Sequence, residues 1–185
     1  MSIILHSDGE IIDRQTIRFE RLLPGPIERV WAYLTESEKR RKWLAAGDMD
    51  LRAGGRAALR FNHSELTPHQ EAPPEKYRKK CDGSTVVYWE ITCCEPPRLL
   101  TARWGENAED SEVTFDLQPR GNHVLLTVTH RRLADREFMV SVAGGWHVHL
   151  DILADHLNGR MPPPFWATHA KLASEYDKRI PAERT

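Results

Sequence analysis

Histidine, glutamate, tyrosine and tryptophan are the residues through which this chain could do chemistry, and three short stretches hold them in informative settings. The first is Tyr88-Trp89-Glu90-Ile91, where a carboxylate sits inside an apolar run. Such a group either faces a cavity or is paired. Paired, Glu90 forms a salt bridge to Arg103 or Arg98 on a neighbouring strand. Facing a cavity beside Tyr88, it is an acid or base of raised pKa, or a hydrogen-bond acceptor for a ligand.

The second stretch is His147-Val148-His149, with His156 further on, drawn from nine histidines in all. Geometry opposes a metal site. On a helix, residues two apart point about 200° away from each other and seven residues rise about 10 Å, whereas an ion is held at about 2 Å. No metal is expected. His147 with Asp151 reads as an i, i+4 pair on the solvent face. His149 reads either as a satisfied core histidine or as a hydrogen-bond partner for a polar group of a ligand. The third stretch is Gly144-Gly145-Trp146, which puts an indole at the head of a helix. Trp146 reads either as a core side chain or as a ligand contact. Nucleophilic triads, Gly-rich phosphate loops and dinucleotide fingerprints are missing, so no catalytic residue and no cofactor is assigned.

These residues must be positioned by a chain of 185 residues, the size of one ordinary domain and long enough to bury a core without disulfides or metal. Its 26 basic and 27 acidic side chains nearly cancel, and 40% hydrophobic content argues against disorder. The basic clusters Lys39 to Lys42 and Lys76 to Lys80 have acidic neighbours and read as solvated faces rather than a nucleic-acid surface. Met1 to Glu10 has no basic patch before an apolar run, and no stretch approaches the roughly 18 apolar residues of a membrane span. No membrane insertion is expected, and a cytoplasmic location is the default. Cys81, Cys93 and Cys94 fit neither a disulfide framework nor a zinc spacing, and are expected to be reduced, buried thiols.

Periodicity supplies the elements. Gln15 to Leu23 alternates as a half-buried strand, with Ile17, Phe19 and, after a slip, Leu22 and Leu23 against Arg18, Glu20 and Arg21. Pro26 to about Thr35 is an amphipathic helix; Thr35 to Leu44 is a second, with Ser37 as its cap and Trp43 and Leu44 docking its end. Strands follow at Ala57 to Phe61, Ser84 to Cys94, Arg98 to Trp104, Ser111 to Leu117 and Val124 to His130, linked by short turns into an antiparallel meander. Residues 62 to 82, carrying Pro68, Pro73 and Pro74, read as an exposed insertion or flap. From about Asp135 to Leu157 the period becomes helical, with Val142, Trp146, His149, Leu150, Leu153 and Leu157 in one stripe. The diglycine marks either the true helix start or a bend close to the sheet. A last helix runs from Phe165 to about Arg179.

Three patterns carry a resemblance: Pro26, Val30 and Trp31 followed by Thr35 and Trp43; Glu95-Pro96-Pro97-Arg98-Leu99 with Trp104 beyond; and Gly144-Gly145-Trp146 with Leu150. In this order they are similar to the START-like (SRPBCC) superfamily, in the branch named after activators of the heat-shock-protein ATPase. The resemblance implies an α+β, helix-grip fold in which a curved antiparallel sheet of about six strands wraps a long C-terminal helix and leaves a cavity. It implies an N-terminal extension at 1–14, a START-like domain at 15–158 and a C-terminal helical extension at 159–185. It does not imply one activity, since relatives include lipid binders, polyketide cyclases, resistance proteins and co-chaperones.

The function expected is binding of a small apolar molecule between sheet and helix, through Trp146, Leu150, Leu153, His149, Tyr88, Glu90, Phe61, Phe115 and Trp104, without catalysis. Two alternatives remain. One is an enzyme on an apolar carbonyl or polyketide-like substrate using Glu90, Tyr88 or His149; the other is a co-chaperone-like or stress-response interaction domain. Phe165 and Trp166, after three prolines, offer an apolar surface for a possible homodimer. The segment 62–82 and the last helix cap the cavity mouth or build that interface.

Overall fold

A computed structural model of the chain describes residues 8–78, 82–105, 107 and 109–182. Lys79 and Lys80 of the basic cluster, Cys81 and the first seven residues lie outside them. Strands β1 (Glu10–Asp13), β2 (Thr16–Pro24), β3 (Arg56–Asn62), β4 (Asp82–Glu95), β5 (Leu99–Trp104), β6 (Glu112–Arg120) and β7 (His123–Arg131) form one curved sheet in the order β1-β2-β7-β6-β5-β4-β3. Every neighbouring pair is antiparallel. Helices α1 (Ile27–Thr35) and α2 (Ser37–Arg40) follow β2, and α3 (Arg136–Leu157) and α4 (Phe165–Arg179) follow β7. This is the α+β helix-grip arrangement expected from the sequence, with one more strand. β1 is four residues with adjacent Ile11 and Ile12, too short and too irregular for a two-residue period to show.

Trp146 through Leu150 are all buried, which a helix achieves only when it is covered on every side. The sheet lies under α3 and α4 packs along it. The helix begins at Arg136 and continues through the diglycine, so the pair is not the helix start, and the close approach at Gly144 is to α4 rather than to the sheet. Gly144 faces α4, where a Cβ would stand 3.3 Å from the Ala173 amide nitrogen; at Gly145 a Cβ would meet nothing within 4 Å. The first glycine permits close helix packing, and the second borders empty space.

Strand β2 contradicts the expected slip. Its burial alternates without interruption, so Ile17, Phe19, Arg21 and Leu23 face inward and Leu22 faces out. Arg21 tolerates burial because Asp151 of α3 meets its Nε and Nη2 at 3.0 and 2.9 Å. Asp151 lies 3.4 Å from His147 Nε2 through its other oxygen, and His147 Nδ1 is 2.8 Å from the Tyr176 hydroxyl of α4. That hydroxyl accepts the Gly9 amide at 2.6 Å. Burial raises the phenol's pKa and keeps it an O–H, which shares a hydrogen bond with His147 Nδ1. His147 is therefore buried between Phe19 and Tyr176, not on the solvent face where its i, i+4 spacing to Asp151 suggested.

Helix α2 is shorter than its apolar spacing implied. The Arg40 guanidinium turns inward and donates to the carbonyls of Leu34, Thr35, Ala45 and Gly47, wrapping the chain around itself after one turn. Burial lowers its pKa to about 10, which still leaves it charged at neutral pH. Ser37 does not cap α2; its hydroxyl accepts the Gly47 amide at 2.9 Å. Trp43 does dock as expected, fully buried and donating its indole N–H to the Tyr33 carbonyl at 2.7 Å. Cys93 and Cys94 are free thiols, half-buried rather than buried.

A candidate ligand cavity between the sheet and helix α3

A cavity of about 320 Å³ opens between the sheet and the N-terminal half of α3. Its floor is Phe61, Val87, Trp104 and His130, all projecting from the inner face of the sheet. Its roof is the α3 face carrying Phe138, Ser141, Val142, Gly145, Trp146 and His149. Leu44, His63, Tyr77, Phe165, Trp166 and His169 close one end.

The closing end is built from the two segments that depart from a minimal sheet-and-helix domain. The chain between β3 and β4 is not simply an exposed flap. Its Glu71 carboxylate accepts the backbone amides of Trp166 at 2.8 Å and Ala167 at 3.1 Å, capping an α4 that begins after Pro164 with no side-chain cap of its own. Tyr77 stacks on Trp166 at 5.4 Å, and His63 lies 4.5 Å from Phe165 and 5.1 Å from Trp166. Phe165 and Trp166 are thus turned inward, not presented as an outer apolar face.

Among the residues expected to touch ligand, Trp146, His149, Phe61 and Trp104 line the cavity. Leu150, Leu153 and Phe115 do not. All three are buried outside its lining, with Phe115 edge-on to Trp146 at 5.6 Å. Tyr88 and Glu90 are also misplaced by that expectation. Trp89 and Ile91 take the inner face of β4, so the strand's two-residue period turns Tyr88 and Glu90 outward. Glu90 pairs in register with Arg103 and accepts from its guanidinium at 2.9 Å, the salt bridge foreseen as the paired reading.

Sequence reasoning missed His63, Tyr77, His130, Phe165, Trp166 and His169. The i, i+1, i+4 spacing of Phe165, Trp166 and His169 marks one face of a helix and was a usable signal. Tyr77 stands in a Pro-rich segment without periodicity and carried none.

Three imidazoles of the cavity, those of His130, His149 and His169, are neutral at pH 7. Trp146 Nε1 can only donate, and it meets His130 Nδ1 at 3.0 Å, so His130 carries its proton on Nε2 and donates to Ser111 Oγ at 2.9 Å. Burial lowers the His130 pKa to about 3. His149 Nδ1 meets the Trp43 carbonyl at 2.6 Å. Burial lowers its pKa to about 4, although that hydrogen bond works in the opposite sense. His169 is also lowered to about 4, first by burial and then by the charge on Lys76. Among the described residues no group of three or more histidine, cysteine or acidic side chains is placed to hold a metal ion. No described helix is long and apolar enough to cross a membrane.

Residues 24–158 match the family model described as Activator of Hsp90 ATPase homolog 1-like protein. The chain belongs to this family. A Bordetella parapertussis protein solved in solution is 44% identical over 98% of this chain and 97% of its own, with a TM-score of 0.79. CalU16 from Micromonospora echinospora is 23% identical over 95% of this chain and 96% of its own (TM-score 0.67). The Aha1 dimer from Colwellia psychrerythraea is 19% identical over 77% of this chain and 95% of its own (TM-score 0.58), a likeness of fold. No curated protein matches. The family segment supplies the cavity's floor and roof, whereas Phe165, Trp166 and His169 lie beyond the residues matched by the family model.

Proposed function

We propose that this member of the activator-of-Hsp90-ATPase-homolog-1-like family binds a small, uncharged, largely apolar molecule between the sheet and α3, without catalysis. The observation that carries this reading is an aromatic-walled cavity of about 320 Å³ whose roof includes a glycine facing empty space. An apolar hole of about 150 Å³ is filled by benzene, so this volume suits two or three fused rings. Trp146 would offer its ring rather than its N–H, which His130 already occupies. Of the binding residues expected from the sequence, Trp146, His149, Phe61 and Trp104 remain in the proposal.

The enzyme alternative is weaker, because Tyr88 and Glu90 lie on the outer face and only His149 of its three residues borders the cavity. An interaction role rests on the family's name, and self-association rests on the Colwellia relative being a dimer. Phe165 and Trp166, from which an interface was expected, are spent on the cavity.

A thermal-shift series with naphthalene and anthracene tests the proposal. At ten times Kd a ligand adds about 1.4 kcal/mol, about 3–6 °C for a chain of this size. Gly145→Leu places a side chain in the open space and should abolish the shift. A wild-type protein that responds to neither compound, or a Gly145→Leu protein that responds equally, overturns the reading.

A further inference from the structure

Four histidines are buried around α3, and they divide by what their ring nitrogens do. His130 and His147 have both nitrogens engaged by protein groups. His149 uses only Nδ1, and since a carbonyl can only accept, the Trp43 bond fixes the ring proton there and leaves a lone pair on Nε2. No described residue hydrogen-bonds that atom. His169 is 8% exposed and makes no hydrogen bond to any described residue through either nitrogen. Neither residue's free nitrogen is sealed off in the packed interior, and both side chains line the cavity, so these polar atoms are available to whatever fills it.

Both rings pack on Phe165, His149 at 5.1 Å and His169 at 5.9 Å, which places them at the same closed end of the cavity. We infer that His149 and His169 form the polar end of the binding site and select an uncharged aromatic compound bearing a hydroxyl group. The inference rests on the binding reading above and names the ligand class for that site. A hydroxyl donates to the Nε2 lone pair of His149 and can donate to or accept from His169, while the rings behind it lie against Trp104 and Trp146. A carboxylate would set lone pair against lone pair at His149. A cation is opposed by Lys76, whose ammonium stands 4.8 Å from the centre of the Tyr77 ring, itself edge-on to His169 at 5.5 Å. Burial keeps both imidazoles neutral near pH 7, which preserves the lone pair.

The test is calorimetric titration of 2-naphthol, naphthalene and 2-naphthoate into wild type, His169→Phe and His149→Asn. Phenylalanine keeps the ring packing of His169, and asparagine keeps an N–H for the Trp43 carbonyl while removing the acceptor. Wild type should bind 2-naphthol about tenfold or more tighter than naphthalene, with 2-naphthoate weakest. Each variant should lose about 5- to 10-fold more affinity for 2-naphthol than for naphthalene. Equal wild-type affinities for 2-naphthol and naphthalene, tightest binding of 2-naphthoate, or a preference surviving in both variants overturns this inference while the binding reading stands. If none of the three binds, both fall together.

Discussion

His147 and His149 stand two residues apart on α3, both buried, on opposite sides of the helix, and they live in different worlds. On the α4 side, Arg21, Asp151, His147, Tyr176 and the Gly9 amide form a continuous polar chain packed against Phe19. On the cavity side, His149 and His169 carry nitrogens that no described group engages, beside open volume and exposed ring faces. Burial alone therefore separates nothing in this molecule. A buried polar group that is fully engaged holds the fold together, whereas His149 beside the cavity keeps an acceptor nitrogen available.

The contrast can be broken most forcefully on the packed side. Asp151→Ala leaves the Arg21 guanidinium buried without its carboxylate and should cost about 3–5 kcal/mol in urea unfolding. Replacing both, Arg21→Met with Asp151→Leu, should recover most of that loss, because the desolvation cost disappears with the charges. Little destabilisation in the single variant would mean the chain is not a structural unit.

Acid should probe the cavity side. His130, His149 and His169 have pKa values near 3, 4 and 4 in the fold, below the 6.5 of an unfolded chain. The unfolded state then binds more protons at intermediate pH, so stability is complete above pH 6.5 and is lost as pH falls toward 4. Each neutral imidazole contributes about 1.4 kcal/mol per pH unit in that window, and His169→Phe should flatten the slope by that amount. A midpoint independent of pH between 6.5 and 4.5 would contradict the burial of all three.

The smallest effects come from the diglycine. Gly145→Ala should stabilise the free protein by about 0.5–1 kcal/mol, since alanine favours the helix and its methyl group meets nothing. Gly144→Ala should forfeit that gain, because its methyl group meets the backbone of Ala173. Denaturation midpoints moving together for the two variants would mean the cavity and the α3–α4 contact are not distinct environments.

The fold was largely legible in the sequence because two-residue and helical periods persist through β2 to β7, α1 and α3. What escaped notice was set by tertiary partners. Arg21 looks like an outward charge until Asp151 meets it from a residue 130 positions away. Arg40 ends α2 by binding carbonyls on both sides of itself, a pattern no periodicity encodes. The cavity was half legible: Phe61, Trp104, Trp146 and His149 followed from faces of elements. Tyr88 and Glu90 were assigned to the wrong face of β4, a parity that Trp89 and Ile91 decide. The far wall required knowing that Glu71 ties the Pro-rich segment to the start of α4.

The most direct measurement is the set of indole N–H resonances of the six tryptophans during titration with naphthalene. Binding in the cavity predicts saturable shifts at Trp104, Trp146 and Trp166, with Trp31 and Trp43 unmoved. Shifts confined to Trp31 and Trp43, or no saturable shift at any tryptophan, would contradict a ligand site between the sheet and α3.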